Sequence, residues 1–226
     1  MEDPARRRVD YADVPFGPLD LASTPLTQFE RWYSQAVEAG LPEVNAMALA
    51  TAGATGPSLR TVLLKGFDAR GFVFYTNLHS RKARAIAVEA RVSLLFGWIG
   101  MQRQVAVRGR AEQVSREETE EYFGSRPYGS RIGAWASQQS EPLADAETLQ
   151  QRVRELAERW PDTGSPDDVP TPPHWGGFLV RAGEVEFWQG RHSRLHDRLV
   201  FVPTRPGGRP APLDNPASWR VERRQP

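Results

Sequence analysis

The sequence predicts an α+β fold, mainly antiparallel β, with the strands wrapped into a barrel and a few flanking helices. Two patterns point there: short apolar runs punctuated by turn residues across residues 46–114 and 175–223, and only a few stretches with helical spacing. A third observation removes the main competitor. Neither G-x-G-x-x-G after a strand nor G-x-x-x-x-G-K-[ST] occurs, so a nucleotide-binding parallel sheet is not expected.

Residues 1–20, with Pro4, Pro15 and Pro18 and little periodicity, read as an N-terminal arm; residues 21–226 read as one domain without repeats or a linker. Thr24-Pro25 starts a helix whose Leu26, Phe29, Trp32, Ala36 and Val37 form one stripe, and Gly40 ends it. Strands follow at 46–52 and 59–66 around the turn residues Gly53 to Pro57, then at 71–77, and the three are expected to form an antiparallel meander. Ser80 caps a short helix to Val88, and strands return at 91–98 and 104–114. Ser115 with Glu118 makes a capping box for a helix carrying Tyr122 and Phe123. A further amphipathic helix spans 145–160, with Leu149, Val153, Leu156 and Trp160 on one stripe. After a Pro- and Asp-rich loop at 161–173, closing strands are expected at 175–181, 185–188, 198–203 and 219–223. The Pro/Gly-rich stretch 205–218 reads as a mobile loop.

Composition narrows the function. There are no cysteines, which excludes disulfides, thiolate catalysis and Cys-ligated zinc. No apolar run approaches the roughly 20 residues of a membrane span, and residues 1–13 lack a signal peptide's apolar core, so a soluble cytoplasmic protein is expected. His192 and His196 are the only close histidine pair, with no acidic residue placed as in H-E-x-x-H, and no metal site is expected. The absence of G-x-S-x-G leaves acyl transfer without support.

The net charge of +1 conceals a segregation. Residues 58–110 hold ten Lys/Arg against two acids, whereas residues 111–168 hold thirteen acids against six bases. Local positive charge in a neutral chain fits either a localised anionic partner or solvated strand edges. Two cationic clusters stand out. Arg60 to Lys65 is joined by Tyr75-Thr76 and by Ser80-Arg81-Lys82, where two cations sit against the dipole of a predicted helix start. Arg60 and Lys65, an odd number apart, fall on opposite faces of a regular strand. The second cluster, Trp188 to Arg198, packs Trp188, Arg191, His192, Arg194, His196 and Arg198 around one carboxylate. That mixture suits a planar anionic ligand, with arginine forks for the anion and aromatic faces for the ring.

These blocks, in order, resemble the pyridoxamine 5′-phosphate oxidase family. The resemblance runs through Arg60–Lys65, Phe74-Tyr75-Thr76-Asn77, Ser80-Arg81-Lys82, Arg103-Gln104-Val105 and Tyr122-Phe123 to Ser125-Arg126-Pro127. It continues with Ile132–Ser137, Gln139-Ser140, Pro173–Gly177, Glu186–Gly190 and Arg194–Arg198, covering nearly the whole chain from about Pro25. The resemblance implies an FMN-binding split barrel and a homodimer with the flavin at its interface. It places FMN against Arg60, Lys65, Tyr75, Thr76, Arg81, Lys82 and Gln104, with Gln139, Ser140, Trp188 and Arg198 partly from the other subunit. It implies a substrate phosphate held by Lys65, Tyr122, Arg126 and Ser130, and Arg194 and His196 as catalytic residues over the pyridine ring. Arg8 and Tyr11 resemble a segment that closes over substrate. The implied reaction turns pyridoxamine or pyridoxine 5′-phosphate into pyridoxal 5′-phosphate, with a hydride passing from C4′ to flavin N5 and O2 reduced to H2O2. Two other readings stay open: a phenazine-pathway-like oxidase acting on another aromatic substrate, and a non-catalytic carrier of flavin or pyridoxal phosphate. Tyr128 and Arg131 depart from the family's usual residues and are expected to tune the choice between amine and alcohol.

Overall fold

A computed structural model describes residues 3–6, 9–54, 56–205 and 210–226. Over these residues the chain forms helices α1 (Pro25–Glu38), α2 (Arg81–Val88), α3 (Arg116–Gly124), α4 (Tyr128–Ala136) and α5 (Ala146–Arg159). The strands are β1 (Ala46–Gly53), β2 (Gly56–Leu63), β3 (Gly66–Asp68), β4 (Gly71–Asn77), β5 (Arg91–Trp98), β6 (Arg103–Gln113), β7 (Trp175–Gln189), β8 (Asp197–Pro203) and β9 (Trp219–Arg223). All strand pairs are antiparallel, in the order β2-β1-β5-β6-β7-β4-β3, with β8 added to β7 and β9 to β8. No ladder joins β2 to β3 among the described residues, so the barrel is split as expected.

The split corrects the expected meander. β1–β2 and β3–β4 are tight hairpins, but β2 pairs with neither β3 nor β4. Instead the chain changes partner between two residues. Leu64 N–H donates to Asn45 O at 2.8 Å, and Lys65 N–H donates to Val73 O at 2.8 Å.

Strand β7 also differs from expectation, because 175–181 and 185–188 are parts of one strand. One edge pairs with β6; the other serves β4 over Trp175–Val180 and β8 over Val185–Gln189. The interruption expected at Ala182-Gly183-Glu184 appears only as a register shift opposite Arg108/Gly109, a β-bulge.

Helix α1 fills the concave side of the sheet. Thr24 caps it, its hydroxyl accepting from Thr27 N–H at 3.1 Å. Phe29 is fully buried, 4.9 Å from Phe67 and Phe96 and 5.0 Å from Phe72, all edge-to-face. Trp32 continues the stripe onto Phe16 and Phe187. A smaller cluster of Phe123, Ile132, Val169 and Trp175 joins the α3–α4 region to β7, with Leu156 and Trp160 of α5 against it.

Helix α4 is the element missed by periodicity. It is short, and its N-cap Pro127 offers no side-chain capping bond. Ser115 accepts from Glu118 N–H, but the Glu118 carboxylate pairs with Arg70 at 3.0 Å, so only half of the expected capping box forms. Within 205–218, residues 206–209 lie outside the described residues, while Leu213 is fully buried. Its N–H donates to Ala69 O and its carbonyl accepts from Leu26 N–H. Among the described residues, no helix is long and apolar enough to cross a membrane.

Because Phe29 packs against aromatic rings from three strands, β3, β4 and β5, Phe29→Ala is expected to cost about 3–5 kcal/mol of stability, read from the urea midpoint. A loss below 1 kcal/mol would show that α1 is not the core's keystone.

Candidate active site

A cleft of about 750 Å3 opens along the split. Thr61, Leu63 and Lys65 line it from one face of the β2–β3 crossing, and Tyr75 and Thr76 from β4. Lys82 enters from α2, Tyr122 from α3, Ser130 from α4, and Arg126 and Gln139 from the connecting segments. Arg60, on the opposite face of the pleat as its spacing requires, stays out of the lining. Its guanidinium donates to Leu49 O at 3.0 Å and Thr51 Oγ1 at 2.9 Å, and also to Ser58 Oγ.

Among the described residues, Arg60, Lys65, Arg81, Lys82 and Arg126 make no ion pair with a carboxylate. Nor do eight other described arginines, Arg31, Arg103 and Arg194 among them, whereas thirteen do. Lys82 is buried, with Nζ donating to Gln139 Oε1 at 2.8 Å and Thr76 Oγ1 at 3.2 Å. Burial, and then the charge of Arg60, pull its pKa down to about 8. Burial likewise lowers the pKa of Arg60, with Arg81 adding to it. Ser140, at φ 78°, accepts from Arg81 N–H at 3.1 Å, so the Gln139-Ser140 pair folds over the start of α2.

Beside these cations stand three nearly parallel rings. Tyr75 stacks on Tyr122 at 4.1 Å and on Trp175 at 5.3 Å. Gly177 makes the stack possible, because a Cβ there would lie 2.6 Å from Tyr75 Cε1. Arg126 lies over Trp175 at 4.7 Å. Among the described residues its buried Nη1 has no hydrogen-bond partner. A buried unpaired guanidinium nitrogen costs free energy unless an acceptor arrives.

The other expected residues gather elsewhere. A second pocket, of about 620 Å3, is lined by Tyr11, Arg191, Arg194 and His196 with Val9, Asp10 and Ser193, and shares no residue with the first. Trp188 stands beside it, 4.6 Å from the His196 ring. Gln104 is the β6 partner of Trp188. Arg198 is clamped by Glu186 through bonds of 3.0 and 2.8 Å. Arg8 lies outside the described residues. One chain therefore does not bring Arg194 and His196 to the cleft of Lys65, Tyr122, Arg126 and Ser130.

Tyr128 and Arg131 are absent from the cleft lining, against the expectation that they tune substrate choice. Tyr128 Oη donates to Trp160 O at 2.6 Å, and Arg131 to Ser165 O at 3.0 Å and to Pro166 O. Arg131 braces α4 against the 161–173 loop, and Tyr128 braces it against the end of α5. Residues that sequence reasoning passed over include Trp175 and Gly177, although both lie within a block already quoted. Asp197 was hidden because a single acid among arginines reads as a counter-ion.

Family models match most of the chain. One described as pyridoxamine 5′-phosphate oxidase covers residues 33–160, and one described as the pyridoxine 5′-phosphate oxidase C-terminal dimerisation region covers 175–226. The pyridoxine/pyridoxamine 5′-phosphate oxidase of Kineococcus radiotolerans is 69% identical over 226 residues, all of both chains. PhzG from Burkholderia lata, solved with tetrahydrophenazine-1-carboxylic acid, superposes with a TM-score of 0.81 at 31% identity, covering 95% of this chain and 98% of that one. An FMN-binding, pyridoxamine 5′-phosphate oxidase-related protein from Nostoc punctiforme shares the fold, with a TM-score of 0.66 at 15% identity over 94% of this chain and 100% of that one.

Lys82 is cationic below about pH 8 and neutral above it. Sulfate, whose charge is constant in this range, is expected to bind the flavin-free protein roughly tenfold more weakly at pH 9 than at pH 7. Calorimetry reads this directly, and Lys82→Met is expected to flatten the dependence.

Proposed function

The chain belongs to the pyridoxamine 5′-phosphate oxidase family of oxidoreductases, and from that premise we propose that it oxidises pyridoxamine 5′-phosphate and pyridoxine 5′-phosphate to pyridoxal 5′-phosphate, using FMN and O2. The observation that carries the reading is the cleft's cation set: no carboxylate partners among the described residues, and a buried Arg126 nitrogen awaiting an acceptor. These residues fit two phosphate groups. Arg81 and Lys82 at the start of α2, with Arg60 of β2 near both and outside the cleft lining, suit the cofactor's phosphate, with Thr76, Gln139 and Ser140 as neutral partners. Lys65, Tyr122, Arg126 and Ser130 suit the substrate's, giving two cations and two hydroxyls.

When bound, FMN supplies the hydride acceptor and its own reoxidation by O2. The protein's part is orientation and electrostatics. The phosphate grip fixes one end of the substrate. Arg194 and His196 approach its ring from a second copy of the chain, since one chain holds them in a separate pocket. Trp188 and Arg198 belong to the same contribution, and Gln104 and Lys65 add polar contacts to the flavin.

The dimerisation match at 175–226 contains Trp188, Arg194, His196 and Arg198 and supports this assembly. So does an unpartnered apolar face. Leu59 and Leu63 of β2 share a side of the sheet with Leu95 of β5 and are 69%, 37% and 40% exposed. Residues 1–20 act as an arm on the 21–226 domain, with Tyr11 closing over the substrate, and the protein works in the cytoplasm.

The likeness to PhzG favours one rival, a tricyclic aromatic acid as substrate. That substrate carries a carboxylate and no phosphate, so Arg126 would have an acceptor but Lys65, Tyr122 and Ser130 would have fewer oxygens to hold.

Adding pyridoxamine 5′-phosphate anaerobically is expected to bleach the yellow FMN-loaded protein, and air to restore the colour with pyridoxal 5′-phosphate formed. Flavin that stays oxidised with both the amine and the alcohol overturns the reading. Arg126→Ala is expected to raise KM for the phosphorylated substrate by about 10- to 100-fold, as loss of a charged hydrogen bond does. FMN affinity should hold.

A further inference from the structure

We propose that Asp197 is a positioning residue that fixes His196 as a neutral hydrogen-bond donor toward substrate, rather than a base. The inference rests on the family reading only in taking His196 to face substrate.

Asp197 is the only carboxylate among the buried polar residues described, and three parts of the chain converge on it. From the arm, Phe16 N–H donates to Oδ2 at 3.0 Å. From the turn before β8, Arg191 Nη1 donates to the same oxygen at 2.8 Å. From β9, Arg223 donates to Oδ1. Burial opposes the charge, but these bonds outweigh it and hold the carboxyl below the usual range.

Arg191 carries the effect to His196. Its guanidinium is anchored by Asp197 on one side and by Asp13 at 2.7 Å on the other. Its backbone N–H donates to His196 Nδ1 at 3.1 Å. An amide N–H can only donate, so Nδ1 must hold a lone pair and the ring proton sits on Nε2. Burial and the nearby charge of Arg194 also disfavour the imidazolium. Arg194 and Asp10 are the other charged groups lining that pocket with Arg191.

Two consequences are chemical. Nε2–H can only offer a hydrogen bond, so the substrate must present His196 with an acceptor atom. A proton leaving the substrate cannot be taken by His196, because its one free lone pair is committed to Arg191.

The local backbone shows why an anchor is needed. Ser193 and Arg194 have φ of 54° and 63°, a left-handed pair without glycine that persists only when its surroundings hold it. Gly190 next door admits the Tyr11 ring, since a Cβ there would lie 2.6 Å from Tyr11 Cδ2. The arm is further tied by Ala12 N–H donating to Gln102 Oε1 at 2.9 Å.

The test is a long-range 1H–15N correlation spectrum of the full-length FMN-loaded protein with labelled histidine, the His196 signals assigned by their loss in His196→Gln. The expected pattern is the neutral Nε2–H tautomer at pH 7.5. In Asp197→Asn it is expected to give way to a mixture with the Nδ1–H form, while kcat/KM falls on the order of 10- to 100-fold and FMN affinity holds. Arg191→Gln, which leaves the buried carboxylate in place, serves if Asp197→Asn does not fold, and the same changes are expected. An Nδ1–H or imidazolium pattern in the unmodified protein overturns the proposal. So does a tautomer that both variants leave intact. The tautomer is read without substrate, so a correct pattern in an enzyme inert to pyridoxamine 5′-phosphate would fault the substrate assignment and spare this one.

Discussion

At the end of β2 two consecutive backbone amides bond in opposite directions, Leu64 toward Asn45 beside β1 and Lys65 toward Val73 on β4. A strand ordinarily keeps one neighbour along an edge, because changing partner leaves polar groups to be satisfied anew. Here each amide finds a carbonyl at once, so the sheet divides without an orphaned group. The division opens the cleft between the two edges and sets Lys65 at its head. Thr61 and Leu63 follow on the same side of the pleat, and Tyr75 and Thr76 face them from β4. Unbroken pairing would leave no room for a ligand between the edges.

Elements were readable from the sequence where chemistry was local. Thr24, Ser80 and Ser115 each cap the helix expected of them, and Asp145, read as the first residue of a helix, is its cap. Strands 71–77 and 91–98 fall where alternation and turn residues place them. What the sequence hides is who pairs with whom. Nothing in residues 59–66 marks the change of partner, and Gly183 looks like a break although the sheet absorbs it as a bulge. Helix α4 escapes because its hold is non-local: Tyr128, Arg131 and Trp135 bond carbonyls of Trp160, Ser165, Pro166 and Pro170 more than thirty residues away.

The site shows the same contrast. Lys65, Tyr75, Thr76, Lys82, Tyr122, Arg126, Ser130 and Gln139, spread over 75 residues, do meet in one cleft. Their residue types and order were visible through family resemblance, and the crossing explains their meeting. Arg194 and His196 do not join them, and no pattern in one chain's sequence distinguishes a contact within a subunit from one across subunits. The acids tell a parallel story. Glu186 and Asp197 pair with Arg198 and Arg191 of the second cluster and with Arg223 of β9, whereas among the described residues Arg60, Lys65, Arg81 and Lys82 of the first make no ion pair.

The knot at Asp197 joins residues near both ends of the chain: Phe16 bonds a side chain 181 positions later, and Arg223 closes it from β9. During synthesis the arm emerges early and has nowhere to dock until β8 and β9 have left the ribosome. At several residues per second that interval is on the order of ten seconds or more. Phe16 and Trp32 stay in part uncovered until then. Strand β9 therefore helps to seat a segment made long before it, and its loss would take a counter-ion from the carboxylate on which Phe16 docks.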